Sequence, residues 1–378
     1  MHHFASRGFS SLLVAGLLLG LIGACKPLPE TIPPAAKTTA DPPPPASPRL
    51  IAVEPAATAP PEDPAFQSWL EELAREARTL GIRDSTLAAA LQGLQPLPQV
   101  VTHSRQQAEF VLATSEYVRR MVSEHRIREG RRHRDLHANL LQEVEEKFGV
   151  PHSVLLALWA IESDFGQGRM RYPIVDALAT QAYQGRRQSF FRKELLAALT
   201  ILDQEHLQRE DLRGSWAGAT GQVQFLPSSY LAYAVDFNGD GQRDIWNEPA
   251  DILASAANYL VRAGWKKGLN WGMEVSRPAG FDPSLAGLDQ RRSPSEWRQL
   301  GIREASGPDD RSLALLLPDG ATGPAFLVSD NFRTLLRWNR SIAFALAVSQ
   351  LAERIAEQPT TGASSSFFAE TPEKTRLP

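Results

Sequence analysis

Apolar side chains recur at helical spacing from Phe66 onward. Trp69, Leu70, Leu73 and Ala77 repeat every three or four residues, which is the pattern of an amphipathic helix with one buried face. The chain is therefore expected to be mainly α-helical. Further helices are predicted over 105–126, 134–148, 153–163, 189–203, 249–263 and 341–356.

Helix ends and strands are marked by local signals. Asp84 and Ser85 are residues that cap helix N-termini, and they predict a helix over 86–94. Two short runs, 313–317 and 326–329, favour strands and are separated by the turn sequence Pro318-Asp319-Gly320. These signals add a small β element to the helical fold.

The first residues carry the pattern of a secretory signal peptide. Arg7 is basic, and the apolar run from Leu12 to Ile22 is shorter than the ~20 residues needed to span a bilayer. The sequence Ile22-Gly23-Ala24-Cys25 resembles the lipobox of bacterial lipoproteins, in which the cysteine is acylated. We therefore expect a lipoprotein signal peptide over 1–24 and a lipid on Cys25. An ordinary signal peptide that ends near a cysteine is the alternative.

The residues after Cys25 predict where the protein resides and how it is tethered. In the lipoproteins that this segment resembles, an Asp after the cysteine favours the inner membrane, so Lys26 indicates the periplasmic face of the outer membrane. Residues 25–64 are rich in Pro and Ala and predict a disordered tether. Residues 357–378 predict a disordered tail. The folded domain is thus expected over 65–356.

Composition narrows the class of partner. The net charge of the 378-residue chain is −3, which argues against nucleic acid because phosphate binding usually needs a basic surface. A local group of arginines around Arg128 is expected to be a solvated helix end or loop. Cys25 is the only cysteine, so no intrachain disulfide can form.

One glutamate lies on the apolar face of a predicted helix. At about 100° per residue, Glu162 shares a face with Leu155, Leu158 and Trp159. A carboxyl in an apolar wall has a raised pKa, as a general acid near neutral pH requires. A glutamate that reaches solvent or pairs with an arginine is the alternative. Gly166 is expected to end this helix in the left-handed conformation.

The residues around Glu162 resemble a known catalytic motif. Ile161-Glu162-Ser163-Asp164-Phe165-Gly166 is similar to the motif of lytic murein transglycosylases. The order and spacing of further motifs resemble the membrane-bound lytic transglycosylase B family over about residues 65–356. These motifs are 175–180, 186–187, 191–192, 214–219, 224–230, 257–260 and 264–265.

The resemblance implies a lysozyme-like catalytic domain with additional helical subdomains. In this family a single glutamate, here Glu162, protonates the glycosidic oxygen between N-acetylmuramic acid and N-acetylglucosamine in peptidoglycan. It then takes the proton of the C6 hydroxyl, which closes a 1,6-anhydro ring without water. No catalytic cofactor is needed, and Asp164, about 200° further around the helix, is expected to face elsewhere.

The resemblance also implies the residues that line the glycan groove. Arg186 and Arg187 are expected to bind acidic peptide stems or lactyl carboxylates, with a solvated helix start as the alternative. Trp338 and Phe344 stand where tyrosines are expected, so sugar contacts should differ there. Phe225, Trp216 and Tyr230 are candidates for stacking on sugars, although the last two suit the core equally. The other implied groove residues are Tyr117, Ser215, Gln224, Tyr259 and Asn339.

The stretch from Asp236 to Asp244 matches the start of an EF-hand loop. Oxygen ligands are expected from Asp236, Asn238, Asp240 and the carbonyl of Gln242, with Gly241 making the turn. Position 12 of the loop is an asparagine instead of the usual glutamate. The resemblance implies that Asp251 closes the site, so a structural calcium ion is predicted over 236–251. A turn without metal is the alternative.

Two other functions remain open from the sequence. A hydrolytic muramidase would use water and leave reducing ends. A noncatalytic peptidoglycan-binding lipoprotein would leave the glycan intact, but the complete motif around Glu162 argues against it. Glycan strands and the membrane are the expected partners, together with complexes that synthesise the cell wall.

Overall fold

A computed structural model describes residues 63–106, 112–168 and 170–357. The predicted signal peptide, the lipidated Cys25, nearly all of the tether and nearly all of the tail lie outside these residues. The α-helices are α1 (Pro64–Thr79), α2 (Asp84–Leu91), α3 (Pro98–Gln106), α4 (Thr114–Met121), α5 (Glu124–Leu136), α6 (Ala138–Phe148), α7 (His152–Ser163), α8 (Ile174–Gln184), α9 (Gln188–Gln204), α10 (Pro227–Tyr233), α11 (Pro249–Arg262), α12 (Pro294–Gln299), α13 (Asp330–Trp338) and α14 (Ile342–Ala356).

The strands are short and form two sheets. They are β1 (Tyr172–Pro173), β2 (Arg213–Gly214), β3 (Gly272–Val275), β4 (Arg291–Arg292), β5 (Leu313–Leu316) and β6 (Ala325–Val328). β1 pairs with β2, and the larger antiparallel sheet has the order β3-β6-β5-β4. Its register places Leu315 opposite Leu327 and Met273 opposite Leu327.

Helix α7 lies at the centre of the helical core. Every residue from Ser153 to Ala160 is buried, because α14, α5, α11 and α6 pack around it. Such a helix is apolar all round and has no solvated face. Towards its C-terminal end, Ile161 and Glu162 are partly accessible.

The larger sheet joins this core to a second, smaller one. Side chains alternate across a strand, so Leu316 and Phe326 face the helical core while Leu315 and Leu327 pack on Trp297. Both faces are buried, which explains why β5 and β6 read as continuous apolar runs. The predicted hairpin is confirmed. The elements that were not predicted are α3, α8, α10, α12, α13, β1, β2, β3 and β4.

Three predicted helices differ from those observed. The single helix expected over 105–126 is wrong, because α3 ends at Gln106, α4 occupies only part of that span and Ser123 caps a new helix, α5. Likewise, 134–148 is divided between α5 and α6 at His137. The helix predicted over 86–94 begins at Asp84 and ends at Leu91.

The expected cap of α2 is also wrong. Its N-cap is Arg83, which makes no side-chain capping bond, and Asp84 instead forms an ion pair with Arg78 at 2.6 Å. A charged partner nearby thus competes for a side chain that would otherwise cap the helix. Among the described helices, none is long and apolar enough to cross a membrane.

Candidate active site

Glu162 lies on the last turn of α7, as the sequence predicts. Part of its surface remains accessible, yet protein surrounds the carboxyl closely. This burial raises its pKa from 4.5 to about 8, against the opposing effect of a hydrogen bond from Trp338. The carboxyl is therefore protonated at neutral pH and can act as a general acid.

Gly166 is left-handed, as predicted, and the two residues before it are left-handed as well. The left-handed conformation begins at Asp164 (φ 52°) and continues through Phe165 (φ 56°) to Gly166 (φ 82°). Arg126 from α5 donates from Nε to the carbonyl of Ala160 at 3.2 Å, and this carbonyl also accepts from the backbone N–H of Asp164 at 3.0 Å. Three consecutive left-handed residues turn the chain sharply immediately after Glu162.

Asp164 faces α5, as expected. Its carboxylate oxygens lie 3.5 Å from Nε2 of His125 and 3.6 Å from Nε of Arg126. The only acid in the family motif besides Glu162 is thus engaged with another helix. A single-carboxylate site is the chemistry that this arrangement permits.

Trp338 is a site residue whose role the sequence did not reveal. Its indole Nε1 donates to Oε1 of Glu162 at 2.8 Å, across 176 positions of the chain. The sequence marked this position only as a departure from an expected tyrosine. The signal that could have found it is a polar N–H on an aromatic residue at the end of α13, but its partner depends on how α13 packs.

An aromatic cluster holds Trp338 in place. Its ring centroid lies 4.8 Å from that of Tyr259 and 5.4 Å from that of Phe225, at steep interplanar angles. The hydroxyl of Tyr259 donates to the carbonyl of Arg337 at 2.8 Å. Phe225 is only 3% exposed, so it supports this wall more than it offers a free stacking face.

Tyr117 brings a second hydroxyl to the site from α4. Its pKa is raised to about 12, mainly by burial and also by the charge of Glu162, while Arg126 opposes the shift. The phenol is therefore neutral over the working range of Glu162. The effect of Glu162 shows that the two side chains are within electrostatic reach of each other.

The loop between β2 and α10 carries two more predicted residues. Ser215 is buried, and its Oγ accepts from the backbone N–H of Ala219 at 3.1 Å. Gln224 has a left-handed backbone (φ 51°), and its Nε2 donates to the carbonyl of Gly221 at 2.8 Å. Strained backbone of this kind in a non-glycine residue is concentrated at ligand sites.

Gln222 connects this loop to α7, which the sequence did not predict. The indole Nε1 of Trp159 donates to Oε1 of Gln222 at 2.7 Å, and Nε2 of Gln222 donates to the carbonyl of Trp246 at 2.6 Å. A Cβ at Gly166 would lie 2.4 Å from the same Oε1. Gly166 thus leaves room for the amide that ties the catalytic helix to the loop.

Of the remaining predicted groove residues, Asn339 follows α13, whereas Arg186 and Arg187 lie at the α8–α9 connection. Asn339 is buried next to Trp338, and its Oδ1 accepts from the N–H of Ser341 at 3.0 Å. The guanidinium of Arg187 lies over the ring of Phe190 at 4.1 Å, at the start of α9. Arg186 is exposed at the same α8–α9 connection.

Tyr230 is a core residue and does not offer a face to sugars. It is fully buried, and its hydroxyl donates to the carbonyl of Arg243 at 3.0 Å. The stacking role considered for it is therefore wrong, because the apolar ring fills the space between α9 and the 236–251 loop. Trp216 is only partly buried.

The 236–251 loop has an ordered, turn-rich backbone. Asp236 accepts from the N–H groups of Gly239 and Gly241 at 2.7 and 2.9 Å. Asp251 is fully buried and accepts from the N–H groups of Phe237 and Asp244, both at 2.8 Å. Within the described residues, no group of three or more His, Cys, Asp or Glu side chains is arranged to hold a metal ion.

Charges of the loop act on the buried carboxyl of Asp251. Burial raises the pKa of its carboxyl, two backbone hydrogen bonds lower it, and the charges of Asp236 and Asp240 raise it further. The carboxylates of the loop thus repel one another around a buried acid. A divalent cation bound by these oxygens would relieve that repulsion.

Comparisons with known proteins identify the family. Residues 65–353 match the family described as Transglycosylase SLT domain. The chain is 34% identical over 219 residues to the membrane-bound lytic murein transglycosylase B of Escherichia coli K12, a match that covers 57% of this chain and 60% of that protein. The chain thus matches less than two thirds of the length of that relative.

Solved structures extend the similarity to the fold. SltB3 from Pseudomonas aeruginosa, in complex with NAG-anhNAM-pentapeptide, is 42% identical and superposes with a TM-score of 0.74 over 77% of this chain and 79% of that one. Slt35 from Escherichia coli, in complex with calcium, is 28% identical with a TM-score of 0.66 over 78% of this chain and 93% of that one. The predicted mainly α, lysozyme-like fold is confirmed.

Proposed function

The chain belongs to the Transglycosylase SLT domain family, and from that premise we propose that it is a lytic transglycosylase of peptidoglycan. It cleaves the β-1,4 bond between N-acetylmuramic acid and N-acetylglucosamine without water. The observation that carries the proposal is a single glutamate, Glu162, which burial keeps protonated at neutral pH, while Asp164 is paired with α5.

The reaction has two proton transfers through the same carboxyl. Glu162 donates its proton to the glycosidic oxygen, and the C1–O bond of the muramoyl sugar breaks as its N-acetyl oxygen bonds to C1. The C6 hydroxyl then attacks C1, displaces the N-acetyl oxygen and returns its proton to Glu162. The product ends in a 1,6-anhydromuramoyl ring, and the enzyme regains its starting state.

Groove residues are proposed to bind the glycan around this carboxyl. Tyr117, Ser215 and Asn339 supply hydroxyl and amide groups, which suit acetamido sugars. Gln224 and Tyr259 contribute from the loop and from α11, while Phe225 supports the wall. Arg186 and Arg187 are proposed to bind carboxylates of the peptide stem.

Digestion of purified sacculi tests the function. The wild type should release muropeptides with 1,6-anhydromuramoyl ends, each lighter by one water than the reducing-end product of a hydrolase. Glu162→Gln should lose about 10²–10⁴-fold or more of the activity, because both proton transfers need this residue. Asp164→Asn should keep most of it.

The outcomes separate the candidate functions. Reducing ends alone would replace transglycosylation with a hydrolytic muramidase mechanism. Binding of sacculi without any cleavage by the wild type would instead indicate a noncatalytic peptidoglycan-binding lipoprotein. A fully active Glu162→Gln variant would overturn the role of the carboxyl.

A structural calcium ion is proposed within 236–251, and none is needed for catalysis. Asp236, Asn238, Asp240, the Gln242 carbonyl and Asp251 supply the hard oxygen ligands that calcium prefers. The mutual repulsion around Asp251 supports the site, as does the calcium complex of the similar Slt35. The ion would join the start of α11 to the loop that precedes it.

We also propose a lipid anchor at Cys25, which holds the domain at the periplasmic face of the outer membrane. The tether over 25–64 would let the domain reach glycan strands and cell-wall synthesis complexes. Cys25→Ala should release the protein from the membrane fraction or leave its signal peptide uncleaved. Acyl labelling that persists in this variant would contradict the anchor.

A further inference from the structure

The hydrogen bond between Trp338 and Glu162 is chemically one-sided. An indole N–H donates and cannot accept, so Oε1 of Glu162 serves as the acceptor whether the carboxyl is neutral or ionised. The carbonyl oxygen of a neutral carboxyl is a better acceptor than its hydroxyl oxygen, so this bond favours a proton on Oε2. This partner distinguishes the two oxygens, whereas a hydroxyl could donate or accept.

The donor is also held rigidly. Trp338 is the last residue of α13, and its ring contacts Tyr259 and Phe225 on two sides. The bond from Tyr259 to the Arg337 carbonyl anchors the backbone immediately before it. The N–H thus has a set direction that the carboxyl of Glu162 must meet.

We propose that Trp338 is a positioning residue that directs the reactive proton of Glu162 to Oε2 in both transfers. This inference rests on the proposed function. The oxygen that faces Trp338 stays an acceptor, and the other oxygen gives its proton to the glycosidic oxygen and later takes one from the C6 hydroxyl. Trp338 also stabilises the carboxylate left by the first transfer, because hydrogen bonds to charged acceptors are stronger than those to neutral ones.

Charged and titratable groups face this part of the molecule from several elements. They are Tyr117 on α4, His125, Arg126, His133 and His137 on α5, and Tyr259 on α11. Burial raises the pKa of both tyrosines to about 12 and lowers that of His133 to about 4. The pKa values of these three groups are therefore well separated from that of Glu162.

Trp338→Phe removes the donor and keeps most of the ring packing. The decline of kcat/KM at alkaline pH, which reports deprotonation of Glu162, should move up by about one pH unit, because one hydrogen bond to the carboxylate is lost. kcat should fall about tenfold while KM changes less than threefold, since the groove remains. Trp265→Phe is the matched control, because the buried Nε1 of Trp265 has no hydrogen-bond partner within the described residues.

The result that overturns the proposal is a pH profile that does not move. A Trp338→Phe variant with a lower melting temperature, lower kcat and an unshifted profile would show that Trp338 only supports the wall. The same conclusion would follow if Trp265→Phe shifted the profile equally. Either result would contradict the proposal that Trp338 directs the proton of Glu162 to Oε2.

A second measurement needs neither the Trp338→Phe variant nor enzymatic activity. The indole N–H resonance of Trp338 in the wild type should shift with pH at the pKa of Glu162, and Glu162→Gln should abolish that titration. An indole N–H chemical shift that does not change between pH 6 and pH 10 would contradict the proposal. This test stands even if the wild type leaves sacculi uncut, so failure of the proposed function and failure of the positioning role are distinguishable.

Discussion

The carboxylate of Asp319 caps the helix that begins at Thr114, which lies 205 positions earlier in the chain. Its Oδ1 accepts from the N–H of Thr114 at 2.7 Å, and its Oδ2 accepts from the N–H of Ser115 at 2.8 Å. The local N-cap, Ala113, has no side chain to do this. The turn between β5 and β6 thus holds α4, and with it Tyr117, beside Glu162.

Asp319→Ala should loosen α4 and weaken the site. Loss of a helix cap costs about 1 kcal/mol, so the melting temperature should fall by a few degrees. The value of kcat/KM should fall several-fold as Tyr117 loses its fixed position. Asp310→Ala, which removes an exposed carboxylate shortly before β5, is the control for thermal melts and kinetics. Equal behaviour of the two variants would contradict the capping role.

Glu162 should reduce stability at alkaline pH. Its pKa is raised on folding from 4.5 to about 8, so the folded state binds more protons than the unfolded state between these values. The free energy of unfolding therefore decreases as pH rises through this window. Glu162→Gln removes that decrease, so the variant should melt several degrees above the wild type at pH 9. At pH 4 the two proteins should melt at similar temperatures. Equal melting temperatures at pH 9 would show that burial of the carboxyl costs nothing.

Gln222 should matter for both stability and activity. Gln222→Met keeps the length of the side chain but leaves the indole N–H of Trp159 and the carbonyl of Trp246 without their partner. Each unsatisfied buried group costs about 1–3 kcal/mol. We expect a clear fall in melting temperature and in kcat, because Trp159 lies one turn before Glu162. Gln208→Met, at an exposed position, should change neither.

Calcium should stabilise the fold by mass action. A ligand at 100 times its Kd raises the free energy of unfolding by about 2.7 kcal/mol. Chelation should therefore lower the melting temperature of the wild type, and Asp240→Ala should remove this sensitivity. Asp310→Ala should keep it. A wild type that melts identically with calcium and with chelator would reduce the 236–251 loop to a turn without metal.

Local sequence patterns predicted part of the secondary structure and the candidate acid. Periodicity placed Glu162 on an apolar helical face, and that face is buried as predicted. It also located α9, α11, α14 and the β5–β6 hairpin to within a few residues. These features depend on residues close together in the chain, so the sequence carries them directly. The motifs around Glu162 likewise indicated the family.

Contacts between distant parts of the chain were decided only by the tertiary structure. Nothing local to Trp338 states that its N–H meets Glu162, and nothing local to Asp319 states that it caps α4. The break of the expected 105–126 helix has the same origin, because the side chain of Asp319, on the turn between β5 and β6, stabilises the start of α4. A hydrogen-bond donor finds its acceptor through packing, and packing is set by the whole core at once.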